Sequence, residues 1–585
     1  MRAISFVKLP RLACLAGAAS AALLAGAFSV LPAAAETAVA PLAPEVVARR
    51  PMPRPADVPP PPPITHEIAK RARVSGQIGW LVADIDTGEV IDAAGAHHPF
   101  APASVAKLPT AAFALDQLGP DYRFETALRA DGPVVAGVLQ GDLTVAGGGD
   151  PELDTDALDR LAEALASAGI SRVEGFLRLD PGPLPEIAAI MADQPVDAAY
   201  NPAVSGLSLN FNRVRLDWPH RAKASDVQVR AQADRLRPAT DAVRIHAAPR
   251  LPAPLMHSYA EDHERWDIVE AALRRKGGRW LPVRRPAAYA GAVMAGLAAA
   301  RGIHIAGGTL PPASPRAAAA GGLAEGATTV AARSGIASLA ALGRDDAQAE
   351  GAIGRVVARH RSRPLDAILR EMLRYSTNLT AELCGIAAAR EALPGDGLAG
   401  LRGTADGADA DAARRLAMSA AALNAWAARR AGFAPGDTGF LLANHSGLSL
   451  ASRISPARLV QLLQAVALEP VETAVHDPRL PGGVAQLLRQ HNIAARNVPF
   501  DYAGTAVAAK TGTMHFVRGL AGYATTPKGR RLAFAIFAND LMRREQGQYG
   551  ARSWANRARG MERALIREWV RIADAATPAG KAGAD

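Results

Sequence analysis

The order of hydrophobic and polar positions predicts strands first, then a mixed segment, then helices followed by strands. The stretch Gly79–Ile85 predicts a strand, and the turn Asp86–Glu89 leads into a returning strand. A helical pattern follows, and one face of it carries Leu108, Ala111, Ala112 and Leu115. The part of the chain from 66 to 124 is therefore expected to supply a hairpin and a helix.

Short strands and helices alternate between 125 and 320. A helix is predicted from Asp154, its N-cap, to Ala168. The stretch Leu207–Trp218 alternates with one slip, which is typical of a bulged strand, and Ser208 and Asn210 would share one of its faces. Because the segment is long and has its own strand–helix alternation, it is expected to be an insert of mixed α/β domains with its own core.

The remainder, 321–575, starts helical and ends in strands. From Pro364 an apolar stripe predicts a helix that stops near Tyr375, and a second helix begins at about Leu379. Strands are then predicted at Ala506–Thr513, Val517–Ala524 and Leu532–Phe537, followed by an amphipathic helix at Gly550–Ala573. Residues 576–585 are expected to form a disordered tail.

The N-terminal segment 1–35 has the pattern of a secretory signal. Its basic start is followed by the apolar run Leu12–Leu31, and Ala33–Ala35 fits a cleavage site. An uncleaved anchor is the alternative, because the apolar run is long enough to span a membrane. The proline-rich segment 36–65 is predicted to be an extended linker. The protein is therefore expected to be exported to the periplasm, with at most peripheral membrane association.

Composition fits a globular chain of more than one domain. The 585 residues are too many for one ordinary domain, and 49% of them are hydrophobic. The formal charge of +10 suits a polyanionic cell envelope. Nucleic acid is the alternative partner, but the sequence has no compact basic patch with aromatic residues, and aromatics are only 5%. Cys384 is the one cysteine after the signal, so no intrachain disulfide is expected.

The candidate chemistry begins with a Ser-x-x-Lys motif at Ser104 and Lys107. Residues three apart on a helix lie one above the other, so the lysine amine can reach the serine hydroxyl. A serine is a poor nucleophile until a base takes its proton, and a lysine with a depressed pKa is such a base. Alone the motif is weak, because Ser5–Lys8 matches it too. A helix cap beside a solvated lysine is the alternative interpretation.

Two further motifs follow in order along the chain. Ser376 and Asn378 form a Ser-x-Asn motif on the predicted turn between two helices, where a plain helix cap is the alternative. A Lys-Thr-Gly-Thr motif lies on a predicted strand, where an ordinary surface strand is the alternative. There a cation and two hydroxyls would be available to a substrate carboxylate, from Lys510, Thr511 and Thr513.

Taken together, the three motifs resemble the serine D-alanyl-D-alanine carboxypeptidase/endopeptidase family, the class C low-molecular-mass penicillin-binding proteins. The resemblance covers nearly all of the chain after about Gly76. It includes Pro102–Leu108, Leu118–Phe124, Gly147–Pro151 and Arg518–Tyr523. One loop departs from the family pattern, because Asn444–Leu448 replaces Asp-Gly-Ser-Gly-Leu and so lacks a carboxylate.

The resemblance implies an α/β fold with a penicillin-binding transpeptidase-like core. In that core an antiparallel sheet is flanked by helices, a helical lobe lies beside it, and mixed α/β domains are inserted between the first and second motifs. The implied partners are peptidoglycan stem peptides, with β-lactam antibiotics as covalent inhibitors. No cofactor and no metal are implied. The insert is expected to lie outside the catalytic core and to guide peptidoglycan strands at the cleft mouth.

The implied reaction is acyl transfer through an acyl-enzyme. Ser104 would be the nucleophile that attacks the carbonyl of the penultimate D-alanine, Lys107 its base, and Ser376 the relay of the proton to the leaving amine. Backbone N–H groups of Ser104 and Thr513 would hold the oxyanion. Substrate-binding roles are implied for Asn378, Lys510, Thr511 and Thr513.

Two other functions are compatible with the motifs. One is a β-lactamase with the same active-site chemistry, against which the long insert argues. The other is a non-catalytic wall-binding scaffold, against which the intact Ser104, Lys107 and Lys510 argue. Whether the enzyme trims terminal D-alanine, cuts cross-links or does both stays open.

Overall fold

The computed structural model describes residues 62–310 apart from 183 and 185, 354–393, 409–493 apart from 435, 469 and 475, and 502–576. The predicted signal, 1–35, lies outside these residues, as do most of the predicted linker, 36–65, and of the predicted tail, 576–585. Within the described part of the chain, no helix is both long enough and apolar enough to cross a membrane.

The strands in chain order are β1 (Gln77–Asp84), β2 (Val90–Ala94), β3 (Glu125–Asp131), β4 (Val134–Val135), β5 (Val138–Leu139), β6 (Asp142–Gly147), β7 (Arg172–Val173), β8 (Leu177–Asp180), β9 (Arg213–Trp218), β10 (Gln228–Arg230), β11 (Val243–Ala248), β12 (Leu255–Tyr259), β13 (Glu264–Val269), β14 (Gly277–Pro282), β15 (His304–Ile305), β16 (Thr309–Leu310), β17 (Arg355–Arg361), β18 (Phe440–Leu441), β19 (Arg453–Ile454), β20 (Ala506–Met514), β21 (Val517–Thr525) and β22 (Arg531–Asn539). The helices are α1 (Pro63–Ala72), α2 (Lys107–Leu118), α3 (Thr155–Ser167), α4 (Glu270–Leu273), α5 (Pro286–Ala300), α6 (Leu365–Tyr375), α7 (Asn378–Ala392), α8 (Asp409–Ala431), α9 (Pro456–Leu468), α10 (Val484–Leu487), α11 (Leu541–Glu545) and α12 (Ala551–Ala575).

One antiparallel sheet joins the two ends of the described chain. Its order is β2-β1-β22-β21-β20, so strand β1 lies between its own hairpin partner and the last strand of the chain. The predicted sheet, made of the hairpin before Ser104 and the three C-terminal strands, is confirmed. Strand β20, which carries the Lys-Thr-Gly-Thr motif, forms one edge of this sheet.

Successive side chains in the strands point to opposite faces of the sheet, and both faces are covered by helices. On one face Phe534 and Ile536 pack in a core with Trp569 of α12. On the other face Ala535 and Phe537 belong to the core that contains α2 and the helices α6 to α9. Helix α2 is thus enclosed between the sheet and the helical lobe, and Lys107–Leu115 are all buried.

The insert has a separate core. Its largest sheet has the order β16-β8-β6-β3-β17, and smaller sheets are formed by β15-β7-β5-β4, β10-β9-β14 and β11-β13-β12. Helices α3 and α5 pack on these strands through Leu158, Leu161, Val293 and Met294. The mixed α/β character predicted for this segment is therefore present.

The predicted end of the insert at 320 is wrong. Strand β17 pairs antiparallel with β3, so residues 355–361 belong to the largest insert sheet. The chain enters the insert from Phe124 and leaves it at Ser362, whose backbone N–H donates to the Phe124 carbonyl at 2.9 Å. Sequence alternation cannot assign a strand to a sheet whose partner lies more than two hundred residues earlier, because that pairing is set by tertiary contacts.

Two local predictions also need correction. The predicted linker 36–65 ends too late, because helix α1 begins at Pro63; proline fits the first helical position, where its missing N–H costs nothing.

The predicted strand Leu207–Trp218 begins only at Arg213, because Asn210–Asn212 adopt left-handed backbone angles. Asn210 is buried there, and its amide donates to Thr155 Oγ1 at 2.8 Å. Ser208 and Asn210 are therefore structural residues of the insert, although they do not share a strand face.

Candidate active site

Ser104 lies at the entry to helix α2. A 3-10 turn over Ala103–Ala106 holds it, and Ala103 adopts a positive φ of 47°. Strand β20 packs directly against this turn at Gly512, where an added Cβ would lie 2.6 Å from the Pro102 carbonyl oxygen. A glycine is therefore needed at the third motif so that it can approach the first motif this closely.

Lys107 is fully buried and its amine has three partners. Its Nζ lies 3.1 Å from Ser104 Oγ, 2.7 Å from Asn378 Oδ1 and 2.8 Å from the carbonyl oxygen of Ser446. The exposed fraction of the Lys107 residue is 0%. The predicted Ser104–Lys107 pair is thus brought together, and Asn378 of the second motif joins it.

The chemistry of these partners decides how a neutral Lys107 would be oriented. The amide oxygen of Asn378 and the carbonyl of Ser446 can only accept hydrogen bonds. A neutral amine has two N–H bonds and one lone pair, so the two N–H bonds are used by these oxygens. The lone pair is then left facing the hydroxyl of Ser104. The site is therefore arranged for proton transfer from serine to lysine.

The surroundings favour the neutral form of Lys107. Burial lowers the pKa of Lys107 well below its usual value, and the nearby cation of Lys510 lowers it further. The buried carboxylate of Glu382 acts in the opposite direction, because a negative charge stabilises the ammonium form. Burial is the largest of these effects.

The second motif lies on the tight turn predicted between two helices. Helix α6 ends at Tyr375, and Ser376 caps it in the left-handed conformation with φ 63°, its N–H bonded to the Met372 carbonyl at 2.8 Å. Helix α7 begins two residues later at Asn378. The turn therefore presents the Ser376 hydroxyl toward the third motif, while Asn378 faces Lys107.

Lys510 connects the second and third motifs. Its Nζ donates to Ser376 Oγ at 3.0 Å and to the carbonyl of Thr511 at 2.9 Å. Only 2% of the residue is exposed. Burial, followed by the charge of Arg518, lowers the pKa of Lys510 to about 8. Because Lys510 donates to Ser376 Oγ, the hydroxyl proton of that serine is free to be given to another group.

Thr513 is supported by an ion pair that the sequence reasoning missed. Arg518 lies opposite Thr513 in the β20–β21 pairing, and its Nη1 donates to Thr513 Oγ1 at 2.8 Å. The same guanidinium forms two hydrogen bonds, of 2.8 and 2.7 Å, with the buried carboxylate of Glu562 on α12. The short turn between the two strands, which fixes their register, was the signal in the sequence that could have placed Arg518 here.

The loop Asn444–Leu448, which the sequence marked only as a departure from the family pattern, also contacts the base through Ser446. It lies between β18 and β19, and a bridge between Ile454 and Phe100 holds it near the first motif. Gly447 has a φ of +73°, and an added Cβ there would lie 2.0 Å from the Ala103 carbonyl oxygen. The loop is therefore pressed against the Ser104 turn, and this contact places the Ser446 carbonyl on Lys107.

The insert also reaches the site. We call residues 186–205 the strap; its Ile187, Ile190 and Val204 pack against Leu379, Leu383 and Ile386 of α7. The carbonyl of Tyr200, in the strap, accepts a hydrogen bond of 2.8 Å from Asn378 Nδ2. Because Nδ2 is held by that carbonyl, Oδ1 must face Lys107. The expectation that the insert stays outside the catalytic core is therefore wrong at this contact.

Among the described residues, no group of three His, Cys, Asp or Glu side chains is placed to bind a metal ion. Cys384 is buried, and burial raises the pKa of its thiol well above the usual value. The thiolate form is therefore disfavoured.

The chain is similar to known proteins over most of its length. The D-alanyl-D-alanine carboxypeptidase of Actinomadura sp. is 28% identical over 474 residues, which cover 79% of this chain and 77% of that protein. D-alanyl-D-alanine carboxypeptidase DacB of Haemophilus influenzae is 22% identical over 487 residues, covering 81% of this chain and 87% of that protein.

Solved structures show the same fold. The crystal structure of penicillin binding protein 4 (dacB) from Haemophilus influenzae superposes with a TM-score of 0.59 at 20% identity, covering 86% of this chain and 99% of that one. The same protein in complex with a β-lactam superposes with a TM-score of 0.56. The penicillin-binding fold expected from the motifs is confirmed.

The family assignment follows from the match to a family model. That model, described as the D-Ala-D-Ala carboxypeptidase 3 (S13) family, matches residues 64–330 and 414–558. The matched residues include the first and third motifs, whose side chains meet the second motif in the structure. The chain therefore belongs to the D-Ala-D-Ala carboxypeptidase 3 (S13) family.

Proposed function

We propose that the chain is a serine-type D-Ala-D-Ala carboxypeptidase and endopeptidase that acts on peptidoglycan stem peptides through an acyl-enzyme and is inhibited by penicillin. The observation that carries this proposal is the buried amine of Lys107, 3.1 Å from Ser104 Oγ, with two pure acceptors on its other sides. Family membership and the names of the relatives, both D-alanyl-D-alanine carboxypeptidases, support the substrate class.

In the acylation step Ser104 Oγ attacks the carbonyl carbon of the penultimate D-alanine. Its proton passes to Lys107, which becomes an ammonium while the carbonyl becomes an oxyanion. Backbone N–H groups of Ser104 and Thr513 bind the oxyanion in this proposal. Residues 489–491 pair with the outer edge of β20 at Val507–Ala509, so the substrate is proposed to lie alongside β20 beyond Ala509, where an extended peptide can bond to the strand backbone.

Collapse of the tetrahedral intermediate breaks the peptide bond and leaves an ester on Ser104. The leaving amine takes a proton from Ser376, whose own oxygen is held by Lys510, and the Lys107 ammonium returns a proton to Ser376 and becomes neutral again. Water then attacks the ester and gives a proton to Lys107, which passes it to Ser104 Oγ as the ester bond breaks. In this proposal the terminal carboxylate of the substrate is bound by Thr511 or Thr513, beside the positive charges of Lys510 and Arg518.

We also propose that the enzyme works in the periplasm. The apolar N-terminal segment preceded by basic residues, and the proline-rich linker after it, support export. The substrate supports the same compartment, because peptidoglycan lies outside the inner membrane. In this proposal nucleic acid is not a partner and the membrane association is at most peripheral.

The test is covalent labelling with a fluorescent penicillin, read on a denaturing gel, combined with D-alanine release from a D-Ala-D-Ala peptide. Wild-type protein should label and release D-alanine. The variant Ser104→Ala should do neither while keeping the circular dichroism spectrum and melting temperature of the wild type. Undiminished labelling of the variant would show that Ser104 is not the nucleophile.

A further inference from the structure

Glu382 is a fully buried carboxylate with no place in the mechanism described above. It lies on α7 four residues after Asn378, so the two side chains are on the same face of that helix. Its Oε2 accepts the backbone N–H of His445 at 3.1 Å, and its Oε1 accepts the N–H of Ser446 at 2.9 Å. The exposed fraction of Glu382 is 0%.

These two hydrogen bonds fix the backbone at His445 and Ser446, beside the base Lys107. Ser446 donates its N–H to Glu382 and points its carbonyl at Lys107 Nζ, 2.8 Å away. A carboxylate has an acceptor for each N–H, and no neutral side chain of the same shape has two. Without Glu382, two buried N–H groups would lack hydrogen-bond partners.

We propose that Glu382 is a positioning residue for the acylation step, because it holds the Ser446 carbonyl against the amine of Lys107. With that carbonyl and the Asn378 oxygen both in place, the amine has one free direction, toward Ser104. This inference rests on the proposed function, since it assigns Glu382 to the same serine–lysine reaction.

The charge of Glu382 gives the proposal a signature that a purely structural role lacks. Its negative charge raises the pKa of Lys107, while burial and Lys510 lower it. Burial raises the pKa of Glu382 itself, while hydrogen bonds from Ser446 and His445 and the charge of Lys107 lower it. His445 contacts Glu382 through its backbone N–H, and burial lowers the pKa of its imidazole to about 3, so it carries no charge near neutral pH. Removing the carboxylate charge therefore leaves Lys107 neutral down to a lower pH.

The experiment measures the rate constant of acylation by a fluorescent penicillin between pH 5 and 9. Only labelled molecules contribute to the rate constant, so an unfolded fraction changes the amplitude and not the rate. The variant Glu382→Gln should have a maximal rate about 10- to 100-fold below the wild type, because the displaced Ser446 carbonyl no longer orients the Lys107 amine toward Ser104. The acid limb of its pH profile should move to lower pH.

Two further variants complete the test. Glu382→Asp keeps the charge but is one methylene shorter, so its maximal rate should fall while its acid limb does not move to lower pH. Asp92 is a matched control, because it is equally buried and accepts two hydrogen bonds, from the indole nitrogens of Trp80 and Trp569, on the opposite side of the sheet. Asp92→Asn should leave the acid limb where it is.

The outcomes separate the two proposals. If the wild type is not labelled at all, the proposed function fails. If the wild type is labelled and Glu382→Gln has the rate and the acid limb of the wild type, the positioning role fails. It fails equally if Asp92→Asn shifts the limb as far as Glu382→Gln does. Should Glu382→Gln yield no labelled pool, an acid limb of Glu382→Asp below the wild-type limb overturns the proposal.

Discussion

At the scale of single residues, the site depends on two lysines that are buried for different purposes. Lys107 must lose a proton to act, and its partners Asn378 and Ser446 leave its lone pair facing Ser104. Lys510 must keep its proton to support Ser376 and to attract a carboxylate. Burial and the cation of Lys510 lower the pKa of Lys107, whereas burial and Arg518 lower that of Lys510, and the more deeply buried Lys107 is the one that becomes neutral.

The first prediction concerns the identity of the base. Lys107→Arg should be nearly as inactive as Lys107→Ala, because a guanidinium keeps its proton at every working pH. Loss of an acid–base partner typically slows a reaction by about 10²–10⁴-fold. Penicillin acylation rates of both variants at neutral pH give the comparison. An arginine variant with a rate close to the wild type would show that Lys107 supplies only charge.

The second prediction concerns the alkaline side of the pH profile. The pKa of Lys510 is lowered to about 8, so its charge is present below that pH and lost above it. Acylation should therefore slow as the pH rises through about 8. Lys510→Arg keeps a cation throughout, and its residual activity should show no such fall. If the alkaline fall persisted in this variant, another group would be responsible for it.

At the scale of elements, the strap connects the insert to the second motif. A buried guanidinium bonds to three carbonyls of the strap: Arg284 donates to the carbonyls of Ala188, Asn201 and Val196 at 2.9, 2.8 and 2.7 Å. The carbonyl of Tyr200, beside Asn201, is the one that orients Asn378. The folding of the strap is therefore coupled to the orientation of a residue that contacts the base.

The third prediction tests this coupling. Arg284→Met should slow penicillin acylation by about 10-fold or more, because three carbonyls lose their donor and the strap can no longer fix Asn378. The rate constant is again measured on the labelled pool. Arg215→Met is the control, since Arg215 is a partly exposed residue of the same insert whose ion pair with Asp217 lies on one strand. An equal loss in both variants would mean that the insert affects the site only through general stability.

Local patterns were sufficient to predict the motifs and most of the elements around them. The spacing of Ser104 and Lys107 is a helical one, and the apolar stripe that ends at Tyr375 placed Ser376 on its turn. The supports of the site could not be predicted in this way. Ser446 meets Lys107 across 339 residues of sequence and Tyr200 meets Asn378 across 178, so their pairing depends on the folded core. The alternation over Leu207–Trp218 predicted a strand that begins too early. Asn210–Asn212 form a left-handed turn instead, because side-chain hydrogen bonds stabilise it.

At the scale of the whole molecule, the insert is attached through a pair of strands. Strands β3 and β17 enter and leave side by side, and Ser362 Oγ accepts the N–H of Phe124 at 2.9 Å where they meet the catalytic part. Cutting at these two residues would remove the insert without changing the central sheet, which it does not enter. The strap contact with α7 would be lost together with it.

The fourth prediction follows from this attachment. A variant in which a short glycine/serine linker joins Phe124 to Ser362 should still be acylated by penicillin, although more slowly than the wild type, because Asn378 loses the Tyr200 carbonyl. It should lose more activity on cross-linked peptidoglycan than on a short D-Ala-D-Ala peptide, since the insert is proposed to guide the wall. Activity on both substrates is measured on protein with a cooperative melting transition.

Equal losses on the two substrates would contradict the guiding role and would mean that the insert chiefly builds the active site. A deletion variant that labels as fast as the wild type would contradict the role of the strap. The two outcomes are independent, because one compares substrates for a single variant and the other compares acylation rates between proteins.

The pairing of β1 with β22 also governs when the enzyme can become active during its synthesis. Residues 77–84 must wait for residues 532–539, which leave the ribosome more than four hundred residues later. Among the described strands, none later than β17 enters the sheets of the insert, so the insert can complete its core while the strand bearing Lys510 has not yet been made. Closing so long a loop is a late event in folding. A nascent or C-terminally truncated chain therefore contains Ser104 and Lys107 but lacks the sheet that brings them against the third motif. Such a chain is expected to be inactive as a hydrolase inside the cell.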